Sequence, residues 1–230
     1  MKLKKTTTQY SLPGRSYDDA CGAAHALDLI GERWAMLVMR ELMLGPLRFS
    51  DLRAALPGIS ANVLTQRLEG LEGIGAVVKR RLPPPASAQV YELTPWGYEA
   101  EPIMQALGRW ATRSPLHDPM LPLSPVSLML SFRTMFDAAR AEGFEARIGF
   151  RLNGEDYMVR IGKGKIEAAR EPVESADVVF TGTPPAVAGA VYGGVPLAAL
   201  EADGALALDG YRTIANRFVT LFPLPPKIDG

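Results

Sequence analysis

The chain has 230 residues, 47% of them hydrophobic and 22% charged, the balance of an ordinary globular protein with one large or two small domains. Its 25 basic and 25 acidic side chains cancel overall, but residues 1–117 carry a net +3 and residues 118–230 a net −3. The longest apolar run, Trp34 to Met39, is far short of the roughly 20 residues that span a bilayer. A single cysteine excludes an internal disulfide framework.

Residues 1–18 read as a flexible basic arm with no apolar stretch behind it, hence no secretory signal. With so little cysteine the expected compartment is the cytoplasm. Over residues 22–44, Leu27, Ile30, Trp34, Leu37 and Leu42 recur at helical spacing. In "GPLRFSDLRAAL", Ser50 is the expected N-cap of a short helix through Leu56, with Phe49 as its apolar lead-in. "PGIS" then makes a tight turn, and Ser60 caps a helix running to about Gly73. Two short helices joined by a Pro-Gly turn are a helix-turn-helix pattern. "AVVKRRL" and "AQVYELT" alternate as strands, and "PPPAS" between them predicts a hairpin with a stiff, exposed tip. Thr94 caps a further helix with Pro95 in the favoured first position. Its residues Trp96, Ala100, Ile103, Leu107 and Trp110 form a heptad-like seam, and Pro102 should kink it.

Four prolines in "RSPLHDPMLPLSPVS" cannot sustain a regular element. The expected organisation is therefore an arm (1–18), a mainly α winged helix-turn-helix domain (19–114), a linker (115–125) and a second domain (126–230). The second domain opens on one helix, "PVSLMLSFRTMFDAARAEG". Strands follow in "EARIGFRLN", "EDYMVRIGKGKIEAAR" and "ADVVFTG", with Asn153-Gly154 as a hairpin turn. "PPAVAGAVYGG" and "VPLAALEADG" read as short helices, "ALALDG" as a strand and "YRTIANRFVTLF" as a closing helix. The order α, four strands, two helices, strand, helix predicts an α+β domain with a mostly antiparallel sheet.

A helix-turn-helix followed by a basic hairpin is a winged helix, and duplex DNA explains its residue types. The second helix enters the major groove. At 100° per residue, Ala61, Leu64, Leu68 and Leu71 share its inward face, and Asn62, Gln66 and Glu69 lie opposite. Asn and Gln pair bidentately with adenine, so Asn62 and Gln66 are the expected base readers. Ser60, at the positive end of the helix dipole, Thr65 and Arg67 are the expected phosphate or secondary contacts. Arg48 and Ser50 on the preceding helix, and Lys79, Arg80 and Arg81 on the wing, complete the predicted DNA-binding set. No cofactor is expected. His25 and His117 are the only histidines and have no Cys cluster beside them, so no metal is expected either.

The pieces "ALDLIGERW", "LGPLRFSDL", "PGIS", "VLTQRLEGLE", "YELTPWG" and Trp110 carry a resemblance to the HxlR family of bacterial winged-helix transcription regulators, spread over residues 21 to about 110. The resemblance implies a homodimer built by the helices around 22–44 and 95–112, reading a roughly palindromic operator. The family usually has Cys followed by Pro at its start, where this chain has Cys21-Gly22. Some members use that cysteine as a redox sensor, which makes Cys21 a candidate sensor. No basic residue adjoins it in sequence, so it also reads as a small packed apolar residue.

Residues from about 120 to 230 resemble the sterol-carrier-protein type domain through "GFRLNGEDYMVRIGKGKI", "SADVVFTG" and "VYGGVPLAALEADGALALDG". That resemblance implies an apolar tunnel between sheet and helices. Its candidate lining is Leu128, Phe132, Phe150, Tyr157, Val159, Phe180, Val187, Tyr192, Leu197, Phe218 and Leu221, residues that would equally form a closed core. The combined expectation is a dimeric DNA-binding regulator modulated by an apolar small molecule, with no membrane partner. The alternative is an apolar-ligand-binding or interaction protein whose winged helix only dimerises. "IGKGKI" lacks the phosphate-loop spacing and no Ser/His/acid grouping stands out, so no enzyme is expected.

Overall fold

In the computed structural model of the chain, residues 16–83 and 87–228 are described. The chain forms two compact units, Met1–Glu101 and Pro102–Gly230. The expected arm up to residue 15 and most of the "PPPAS" tip lie outside the described residues. Ser16 to Asp18, also assigned to the arm, are exposed but tethered. The Tyr17 N–H donates to buried Asp28 at 2.9 Å.

The first unit holds α1 (Gly22–Ile30), α2 (Ala35–Leu42), α3 (Phe49–Ala55), α4 (Ala61–Gly73), β1 (Val77–Arg81), β2 (Gln89–Leu93) and α5 (Pro95–Tyr98). The helical pattern expected over 22–44 is broken in two. Gly31 ends α1 and Trp34 takes φ 79° before α2. The predicted stripe does not mark the core either. Leu27 and Leu37 are exposed, and Leu42 of the stripe is buried together with Val38 and Met39, which lie outside it. Ser50 does not cap α3. The cap is Arg48, and Asp51 accepts the Arg48 N–H at 3.4 Å. An acidic residue three positions after the cap closes the helix start, and the serine falls two residues too late to cap it.

Ser60 caps α4 as expected, its hydroxyl accepting the Val63 N–H at 3.2 Å. Leu64, Leu68 and Leu71 are at most 2% exposed. At about 1.5–3 kcal/mol for each fully buried leucine, this stripe dominates the seating of α4. The wing strands pair antiparallel, with Lys79 opposite Tyr91 and Arg80 opposite Val90. Leu47 adds a bridge to Tyr91, so the wing is anchored beside the start of α3.

The second unit contains α6 (Glu101–Ala111), α7 (Pro125–Met135), β3 (Ala146–Leu152), β4 (Glu155–Gly162), β5 (Lys165–Ala169), β6 (Val178–Gly182), α8 (Pro184–Tyr192), α9 (Leu197–Ala202), β7 (Leu206–Gly210) and α10 (Arg212–Phe218). The helix expected from Thr94 onward is two helices, α5 and α6, with the break at Glu99–Ala100, so that Pro102 falls in the first turn of α6, where its missing N–H is not needed. The helix expected over 125–143 stops at Met135, where Phe136 turns to ψ 130°.

The sheet runs β5-β4-β3-β6-β7. It is mixed: β3 and β6 are parallel and the other three pairings antiparallel. Asn153 (φ 53°) and Gly154 (φ 83°) both take the left-handed conformation that a two-residue hairpin requires. After β5 the chain crosses the sheet through 170–177, where buried Val173 packs on the bare backbone of Gly149. On the opposite face the aromatic rings meet. Phe132 lies 4.9 Å from Phe222 and 5.3 Å from Phe218, and Phe150 stacks on Phe180 at 5.2 Å. No helix among the described residues is long and apolar enough to cross a membrane.

Candidate nucleic-acid interface

The outward row of α4 follows from its cap and its leucine stripe. Asn62, Thr65, Gln66 and Glu69 are exposed. Among the described residues no hydrogen bond engages the side chain of Asn62 or Gln66, so both amides are available. Thr65 turns its hydroxyl back to the Ala61 carbonyl at 3.0 Å, and Ser50 donates to Asp51 at 3.0 Å. Arg48 and Arg53 are exposed on and beside α3. Arg53 is not among the residues expected to bind DNA.

Arg67 is placed differently. Its Nη1 lies 3.2 Å from Glu32, and its side chain is only 17% exposed. A residue flanking the outward row is thus drawn back onto the protein. The wing divides in the same way. Arg80 pairs with Glu92 at 2.5 Å, which diminishes its free charge. Lys79 lies over the Tyr91 ring at 5.7 Å, a contact that holds the stem and leaves the cation exposed. Arg81 is exposed, and no ion pair engages it among the described residues.

Cys21 is exposed and is the N-cap of α1, so it does not pack as a small apolar residue. The N–H groups of Ala24 and Ala23 at the open helix start favour the thiolate and hold the thiol below its ordinary pKa.

In the second unit every expected tunnel residue except Tyr192 is buried, and Tyr192 is partly so. Phe132, Phe150, Phe180 and Phe218 close on one another. The Tyr192 hydroxyl meets Ser131 Oγ at 2.7 Å, and burial pushes its pKa well above the ordinary tyrosine value. A half-open pocket of about 290 Å³ lies elsewhere, beside Phe144, Glu145 and Lys163. Among the described residues no group of three or more His, Cys, Asp or Glu could hold a metal ion.

A capped helix with a free amide row, a short helix before it and a two-stranded basic wing after it define the first unit as a winged helix-turn-helix domain. Residues 29–117 match the HxlR-like helix-turn-helix family. The uncharacterised HTH-type transcriptional regulator YvaP of Bacillus subtilis is 40% identical over 88 residues, 38% of this chain and 81% of that protein. The HTH-type transcriptional regulator YodB of the same organism is 35% identical over 86 residues, 37% of this chain and 77% of YodB. The solved reduced form of YodB superposes with a TM-score of 0.39 at 31% identity, covering 44% of this chain and all of that one. The chain belongs to the HxlR-like helix-turn-helix family.

Proposed function

We propose that the chain is a homodimeric DNA-binding transcription regulator that reads a palindromic operator through the major groove. The free, outward Asn62–Gln66 amide row carries this reading. Amides one helical turn apart, on a helix whose Ser60-capped N-terminus favours a phosphate, are the arrangement that adenine edges call for. Arg48, Ser50, Thr65, Lys79 and Arg81 take phosphates, with a smaller share for Arg80. The names of the family relatives support regulation of transcription. Two copies would join through α6, whose residues Ile103, Leu107 and Trp110 are 45–73% exposed on one face.

The test is selection of a bound duplex from a random library, followed by Asn62→Ala/Gln66→Ala. Discrimination against random DNA should fall on the order of a hundredfold, with the dimer retained. Unchanged binding would favour the reading in which the winged helix only dimerises.

The second unit is proposed as a sterol-carrier-like module that opens its aromatic core to an apolar small molecule and thereby shifts operator affinity. Such coupling needs different ligand affinities in the two states. The part-buried Ser131–Tyr192 pair supports it, as a polar handle at the edge of an apolar layer. Titrating an apolar library against operator affinity checks this, and no shift across the library rejects it.

A further inference from the structure

The break between α1 and α2 consists of Gly31, Glu32, Arg33 and Trp34, and two of these side chains reach the helix-turn-helix. A Cβ on Gly31 would stand 2.4 Å from the Leu27 carbonyl oxygen, so the turn that follows depends on the glycine. Trp34 is held at φ 79°, a conformation unfavourable for a bulky side chain. Its ring edge stands 3.8 Å from where a Cβ on Gly58 would lie, at the turn leading into α4. Glu32 meets Arg67 in the middle of α4 at 3.2 Å. The Arg67 guanidinium is mostly buried, and its Nε has no hydrogen-bond partner among the described residues.

The leucine stripe sets the depth of α4 and which face looks outward, but apolar contact is non-directional and fixes the last few degrees of rotation less tightly than a directional contact does. An ion pair on one flank and a ring at one end are directional. Base reading by two amides demands that rotation be fixed, since misplacement by about 1 Å weakens a positioned contact severely.

We propose that Glu32 and Arg67 are positioning residues: their ion pair, with Trp34 seated at Gly58, sets the rotation of α4 and so the aim of Asn62 and Gln66. This rests on the proposed reading of α4 as the DNA-reading helix, and it takes Arg67 out of the set of phosphate contacts.

Glu32→Arg, Arg67→Glu and the double reversal separate positioning from charge. Affinities are measured for the duplex the wild-type protein selects and for random duplex, and amide exchange of Val63 and Leu64 is followed in the free protein. Glu32→Arg should lower preference for the selected duplex about fivefold although it adds positive charge, and should speed exchange at the start of α4. The double reversal should restore both. Glu32→Arg that strengthens binding to both duplexes alike, with exchange unchanged, overturns the proposal. So does a double reversal no better than the single ones. A wild-type protein with no sequence preference would remove the DNA reading, and the exchange measurements alone would then decide the pairing.

Discussion

Cys21 shows how position on an element sets the chemistry of one residue. As an exposed N-cap it points its sulfur toward the free N–H groups of α1, which stabilise the anion and lower its pKa. The thiolate therefore persists to lower pH than in an ordinary cysteine. Alkylation by iodoacetamide, followed against pH, should show a midpoint below that of a free cysteine peptide, and Gly22→Pro should leave it below. A midpoint at the ordinary value would remove the candidate sensor role. From the sequence, the lack of a neighbouring Lys or Arg pointed toward an inert thiol. The relevant charge is a backbone dipole, visible only once the helix start is known. Arg67 teaches the converse. Its flanking position was legible from the helical period, but its pairing with Glu32, 35 residues earlier, was not.

At the scale of elements, α4 was readable because three local signals agree: Ser60 as cap, the leucine stripe and the Pro-Gly turn before it. The wing was readable from alternation and its turn residues. What differs among its cations is decided across the hairpin. Arg80 is matched by Glu92, and among the described residues no ion pair engages Arg81. A cation already paired within the protein releases fewer counterions on binding DNA. Arg81→Ala should therefore reduce the slope of log affinity against log salt by about 1, and Arg80→Ala by clearly less. Equal reductions would show that Glu92 yields Arg80 to the phosphate. The helix boundaries at Ile30 and Met135 were not readable. Apolar spacing continues past both, yet Gly31 ends α1, Trp34 takes φ 79° before α2, and Phe136 leaves the helical backbone after Met135.

At the scale of the whole molecule, the second unit's element order could be read from its hairpins, yet its sheet is mixed. Asn153-Gly154 and Lys163-Gly164 specify antiparallel neighbours within a few residues. The direction of β6 depends on how 170–177 crosses the sheet over Gly149, a contact that no local pattern encodes. The same limit applies to assembly. Ile103, Leu107 and Trp110 are as apolar as core residues, and the structure leaves them exposed on α6. In the proposed dimer they are covered by a second copy, so Leu107→Glu/Trp110→Glu should convert the dimer to monomer in sedimentation and weaken operator binding at least tenfold through loss of the second half-site. A double variant that stays dimeric would place the interface elsewhere.

By itself the sequence determined the winged helix-turn-helix, its cap and its outward amides, because these follow from periods and turn chemistry within some fifteen residues. Only the tertiary structure decided which cations remain free, where the long helices break, which way β6 runs, and that the aromatic residues of the second unit close on one another. Those outcomes depend on contacts between distant segments, whose partners a linear pattern does not name.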